Sequence, residues 1–199
     1  MSVNPSKDEL HQLAGQVIAA WGELFPDPER KRRGDPGGRA ALRRAASPEA
    51  LLIEEAFHDL LARMRDEGCD FSGWTSKRYL RLALVVGVLA ERRSDRADGP
   101  PLAAVLGGEA RPEERLLKPL RFQSLLAALD REVDAEALTA LRRTLKVAAD
   151  KEIDLYRLVR DLMTWGERTR IAWTFAYFGQ PDRQAPARKQ ATETEELAR

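Results

Sequence analysis

Cationic side chains gather at three places in this sequence, and carboxylates do not gather with them. The stretch from Arg30 to Arg44 carries seven (Arg30, Lys31, Arg32, Arg33, Arg39, Arg43 and Arg44) against one acid, Asp35. Lys118 and Arg121 stand three apart, as do Arg143 and Lys146, and Arg142 adjoins the second pair. Cations without matching acids attract phosphates and release the counterions condensed on a polyanion. The chemistry this implies is a grip on sugar–phosphate backbone. No exposed aromatic residue is interleaved with the clusters, so little base stacking and little sequence preference are expected. Formal net charge is only +1, so a basic surface must come from segregation of charge within the fold.

Reactive groups are sparse by comparison. There are two histidines, His11 and His58; His58 lies four after Glu54 and next to Asp59, but no further residue completes a metal-ligand pattern, and a helix-surface histidine accounts for it. Cys69 has no histidine and no second cysteine near it, which fits a small packing residue better than a nucleophile. Asp150, Glu152 and Asp154 could suggest a two-metal nuclease cluster, yet they fall at a helix junction, where capping explains acids better. Gly34-Asp35-Pro36-Gly37-Gly38 is glycine-rich, but no strand precedes it and no Gly-Lys-Ser/Thr ending follows. The expectation is no catalytic residue, no metal site, no cofactor and no small-molecule substrate.

The elements that must position the cations are helical. Phe122, Leu125, Leu126 and Leu129 recur at helical spacing, which sends Lys118 and Arg121 to the rim of the same surface. Leu138, Leu141, Leu145 and Ala148 make the stripe of the next helix, leaving Arg143 and Lys146 on its outer face and Arg142 at the edge. Arg39 to Ala46 reads as a short helix that places Arg39 and Arg43 one turn apart. Further stripes run from Leu10 to about Phe25, from Ser47 to about Arg65, from Asp154 to Met163 and from Glu167 to Phe178; Leu80 to Leu89 is apolar on nearly every side and belongs at the centre of a bundle. In the last helix, Ile171, Phe175 and Phe178 form one ridge and Trp173 and Tyr177 another. Such a helix is either fully buried or offers a face to another subunit, with Trp173 and Tyr177 as the candidate anchors. No useful β-alternation occurs, so the fold class expected is an all-α compact bundle of seven or eight helices with no sheet. Residues 1–179 form a single domain, with helices over about 6–93, a loop-rich connection over 94–118 and helices over 119–179; residues 180–199 read as a disordered tail. No apolar run has the ~18 residues of a membrane span. The start, Met1-Ser2-Val3-Asn4-Pro5, lacks the regions of a signal peptide, and the single cysteine fits a reducing cytoplasm.

Several segments occur together in one order: Arg33-Gly34-Asp35 with Arg39-Ala40-Ala41-Leu42-Arg43-Arg44, then Leu120-Arg121-Phe122-Gln123-Ser124-Leu125-Leu126, then Leu141-Arg142-Arg143-Thr144-Leu145, then Asp161-Leu162-Met163-Thr164-Trp165-Gly166 with Ile171-Ala172-Trp173. Together, over roughly Trp21 to Phe178, they resemble the CasB family, the small subunit of the type I-E CRISPR surveillance complex, Cascade. The resemblance implies an all-helical, non-enzymatic, cytoplasmic prokaryotic protein acting in antiviral defence. It implies as partners the backbone and large subunits of Cascade, a second copy of the chain, crRNA, and single-stranded and R-loop DNA. By motif, the family's basic surface maps onto Arg39, Arg43, Arg44, Arg121, Arg142 and Arg143; Lys118 and Lys146 join them from helix geometry. Pro36-Gly37-Gly38 departs from the family pattern by stretching the first motif, which leaves the direction of Arg39 open. A helical protein-interaction scaffold with no nucleic-acid contact, a metal-dependent nuclease and a helix-turn-helix repressor stand as alternatives.

Overall fold

The computed structural model describes residues 7–29, 31–92, 99–108 and 111–180. Arg30 and the tail from Pro181 onward lie outside the described residues. The described residues form ten α-helices, eight of them seven residues or longer, and no strand beyond a single bridge between Asp27 and Arg32. In chain order they are α1 (Lys7–Gly22), α2 (Pro36–Arg44), α3 (Pro48–Leu51), α4 (Glu55–Asp66), α5 (Ser76–Leu89), α6 (Leu102–Leu106), α7 (Pro119–Asp130), α8 (Ala135–Val147), α9 (Leu155–Met163) and α10 (Glu167–Tyr177). The all-α expectation holds, and the two helices beyond the expected eight are the short α3 and α6. None of these helices is long and apolar enough to cross a membrane.

Local sequence sets most of the starts. The side chains of Asp35, Ser47, Thr75, Asp134 and Asp154 each accept a hydrogen bond from the backbone N–H three residues on, satisfying a donor that the first turn leaves unpaired. Asp35 explains a difference from the sequence reading. It caps a helix that opens at Pro36, so Pro36-Gly37-Gly38 form the first turn of α2 and Arg39 sits inside the helix with a fixed direction. The helix expected from Ser47 to Arg65 is two helices, α3 and α4, broken at Leu52-Ile53-Glu54. Ile53, assigned to that helix's buried stripe, falls in the break and is 83% exposed.

The core is one cluster, and α5 runs through its middle. From Leu82 to Leu89 every α5 residue is buried, and the helix packs against α1, α2, α3, α8 and α9. Gly87 permits a close approach: a Cβ there would stand 2.5 Å from Leu51 Cδ1 and 3.0 Å from Leu138 Cδ1. A Cβ on Gly107, just past α6, would collide with the Tyr177 backbone carbonyl, so the ends of α6 and α10 touch backbone to backbone.

Four arginines fasten helix ends from inside. Arg32 donates to the carbonyls of Gly22 and Phe25 where α1 finishes. Arg81 donates to Leu162, Met163 and Trp165 at the end of α9, and Arg92 to Ala148 and Lys151 past the end of α8. Arg142 donates to Leu42 and Ala45 at the end of α2. The last carbonyls of a helix lack intrahelical partners and carry the negative end of its dipole, so a guanidinium satisfies both needs at once. Burial lowers the pKa of Arg81, Arg92 and Arg142 below the ordinary arginine value, although arginine stays charged throughout.

Candidate nucleic-acid interface

Two of the three basic clusters meet in space. Arg43 of α2 and Lys146 of α8 both lie 3.7 Å from the same oxygen, Oε2 of Glu91, just past the end of α5. Arg142 Nε stands 3.7 Å from the other oxygen, Oε1. The Glu91 side chain is 5% exposed, whereas those of Arg43 and Lys146 are 48% and 62% exposed. One buried carboxylate therefore ties together two cationic helices that lie about 100 residues apart in sequence. Arg44 follows Arg43 and is exposed; Arg143 is exposed one turn before Lys146. Neither has a carboxylate partner among the described residues.

Arg39 is held differently. Its guanidinium lies over the Phe25 ring, 4.7 Å from the centroid, a cation–π contact that fixes its direction. Arg39 and Arg43 line a cavity of about 200 Å³ together with Arg33. Arg32, within the same cluster, is turned inward and paired with Glu23.

The remaining predicted positions are sorted as follows. Lys118, the residue before α7, and Arg121, on its first turn, are exposed, and no ion pair or hydrogen bond among the described residues links them to the Glu91 cluster. Arg142 corrects the expectation that it sits at the edge of an outer face. Its side chain is 12% exposed, and it donates to Gly87 (3.0 Å), Ala45 (2.6 Å) and Leu42 (2.6 Å). The physical reason is Gly87, whose missing side chain leaves room for that guanidinium against α5.

Trp173 and Tyr177 also correct an expectation. They are 2% and 0% exposed and form part of the core, so they do not offer a face to another subunit. The Trp173 indole N–H donates to Asp161 at 2.6 Å, and the Tyr177 hydroxyl donates to the Leu117 carbonyl. Tyr177 stacks on Phe122 at 4.0 Å between centroids. The other ridge of the same helix is the open one: Ile171, Phe175 and Phe178 are each close to half exposed. Ile171 and Phe175 line an apolar groove against Leu126 and Ala127 of α7, with Asp130 and Arg170 paired at its side.

Asp161 carries the largest displacement of a carboxyl among the described residues. Burial pushes its pKa up to about 6, against the opposing pull of the Trp173 N–H and of Arg157 and Arg160. Its partners, Trp173 of α10 and Arg157 of α9, are structural. Among the described residues no group of histidine, cysteine or acidic side chains is arranged to hold a metal ion. The His58 Nε2–H donates to the Leu52 carbonyl at 2.8 Å on the surface, and Cys69 is half-buried with its thiol pKa raised mainly by that burial.

A family model described as CRISPR-associated protein Cse2 matches residues 38–178. The chain belongs to the Cse2 family. The match spans Arg39, Arg43, Arg44, Lys118, Arg121, Arg142, Arg143 and Lys146, and it bears out the resemblance to CasB carried by the motifs. The fold is similar to that of a crystal structure of CasB from Thermus thermophilus, at 20% identity and a TM-score of 0.56, covering 83% of this chain and 97% of that one. A search of curated proteins gives no match. Sequence reasoning missed Glu91 as the residue on which this Cse2 surface is assembled. A signal was there: it stands one turn after Gly87 at the end of an otherwise apolar helix, where an unpaired carboxylate would be costly.

Proposed function

We propose that this Cse2-family chain is a non-catalytic, nucleic-acid-binding structural subunit of a type I-E CRISPR Cascade complex. In this reading it works beside the backbone and large subunits and a second copy of itself. Its basic helical face lies along crRNA, target strand and displaced strand, and it stabilises the R-loop during antiviral defence. The observation that carries the reading is the meeting of Arg43 and Lys146 over Glu91, flanked by Arg39, Arg44 and Arg143. Guide pairing roughly replaces the duplex it displaces, so modest protein–backbone contacts can tip the balance. Cations from α2 and α8 would screen the freed strand and slow its re-annealing. Lys118 and Arg121 form a separate contact on α7 in this reading. The surface supplies charge without a nucleophile, so cleavage belongs to another component.

The test is the salt dependence of single-strand binding. Each phosphate neutralised adds about 0.7 to the slope of log K against log salt. Replacing Arg43, Arg143 and Lys146 with alanine lowers that slope by roughly 2 and weakens binding to all sequences alike. An unchanged slope refutes the basic face. A second reading, a protein-interaction scaffold, rests on the exposed ridge of Ile171, Phe175 and Phe178. It requires that labelled single-stranded DNA fail to shift at low salt, while guide RNA and large subunits still co-purify.

A further inference from the structure

We propose that the cavity between α2 and the end of α1 seats one unpaired base of a single strand, with its arginines on the adjoining phosphates. The proposal rests on the nucleic-acid-binding reading above and adds to it a site that reads the presence of a base. Pro36, Arg39, Ala40 and Arg43 fall on one face of α2 by their three- and four-residue spacing, and that face closes over Leu24, Pro26 and Arg33. The lining divides by chemistry. Leu24, Pro26, Pro36 and Ala40 supply apolar walls; the polar lining is Arg33, Arg39 and Arg43, and no acid is among them. Asp35 turns its carboxylate to the Gly38 N–H instead.

A phosphate by itself is compact and strongly hydrated, and apolar walls offer it nothing. A nucleobase has a flat, weakly hydrated face that packs on proline rings and on guanidinium planes. The volume, about 200 Å³, is below the ~300–1,000 Å³ of sites for larger small molecules and suits a single heterocycle. Two of the arginines are already oriented without a ligand, Arg39 by the Phe25 ring and Arg43 by Glu91, so little ordering remains when a strand arrives. A base within a duplex is stacked and paired and would have to be flipped out at a cost. The cavity therefore favours single strand over duplex, which contact with phosphates alone does not do.

The experiment compares a short oligothymidylate with a strand of equal length whose bases are all replaced by abasic residues, so that the phosphate count is constant. The wild-type protein binds the base-bearing strand about ten-fold more tightly, in line with one stacked base, and both strands give the same salt slope. Ala40→Phe fills the cavity without touching a charge; it erases the difference between strands and keeps the slope. Should Ala40→Phe melt below wild type, Ala40→Leu replaces it. Equal binding of the two strands by the wild-type protein overturns the proposal and leaves a phosphate-only surface. A difference that persists in the filled variant overturns it as well, since the base is then read elsewhere. Failure to bind either strand at low salt sinks the underlying function, not the cavity reading alone.

Discussion

Arg142 and Arg143 are sequence neighbours on α8, and replacing each with alanine should give opposite results. The Arg142 guanidinium makes three charge-assisted hydrogen bonds to carbonyls of α2 and α5. Such bonds contribute about 1.5–3 kcal/mol each, but they are not additive, and the α2 carbonyls of Leu42 and Ala45 end a helix where water can partly replace the donor. Glu91 keeps Arg43 and Lys146 as partners, so no isolated anion is left behind. We take the net loss as about 3 kcal/mol, the low end of breaking a buried charged contact. For a chain of this size each kcal/mol moves the melting point by about 2–4 °C, so Arg142→Ala should melt roughly 6–12 °C below wild type. Arg143→Ala should stay within about 2 °C, as surface substitutions do, while lowering the salt slope of strand binding by about 0.7. The assays are a thermal melt by circular dichroism and a salt titration of labelled single-stranded DNA below the lower melting point. The reasoning fails if Arg142→Ala melts with wild type and flattens the slope, because its guanidinium would then be facing phosphate.

Other outcomes follow from the same contacts. Asp161 has a folded-state pKa of about 6, above the ordinary carboxyl value of 3.8, so the folded protein binds a proton that the unfolded chain has released between those values. Stability should therefore rise as pH falls through that window and be lowest above it; Asp161→Asn should be flat there and, above pH ~6, more stable by up to about 3 kcal/mol, read by urea denaturation on either side of 6. Glu91→Gln removes the anion beneath Arg43 and Lys146; it should lower stability by about 2 kcal/mol in the same melts and tighten single-strand binding, with a steeper salt slope. Gly87→Ala places a methyl group against Leu51 and Leu138 and should cost about 1–3 kcal/mol in urea denaturation while leaving the salt slope unchanged.

How much of this was legible in the sequence depends on which physical signal each feature leaves. Helix identity was, because stripes such as Leu138, Leu141 and Leu145 repeat at the helical period whatever packs on them. The central place of α5 was, because Leu82 to Leu89 leaves no polar face to solvate. The break at Ile53 was not: nothing in Leu52-Ile53-Glu54 forbids a helix, and the two halves pack on different partners, α3 on α5 and α4 on α1 and α2. The open ridge of α10 was not either. Ile171, Phe175 and Phe178 look as apolar as Trp173 and Tyr177, and only the positions of Asp161 and of the Leu117 carbonyl decide which pair turns inward to find a hydrogen-bond acceptor. For arginine the sequence carries least. A guanidinium that caps a helix and one that faces solvent have the same neighbours in the chain, and the difference lies in which helix ends nearby.

That last point bears on how a small helical subunit can present a cationic face at all. Arg43 and Lys146 repel each other, and a fold that brings them together without relief would lose stability in the absence of nucleic acid. Glu91 offsets that repulsion from beneath, at 3.7 Å, while its own desolvation is offset by three cations rather than one. The same carboxylate opposes any phosphate that arrives above it, so it trades strand affinity for stability of the free subunit. Glu91→Gln separates the two effects because it keeps shape and removes only charge. If strand binding weakens together with stability, the carboxylate acts by orienting Arg43 and Lys146 and not by attenuating their field.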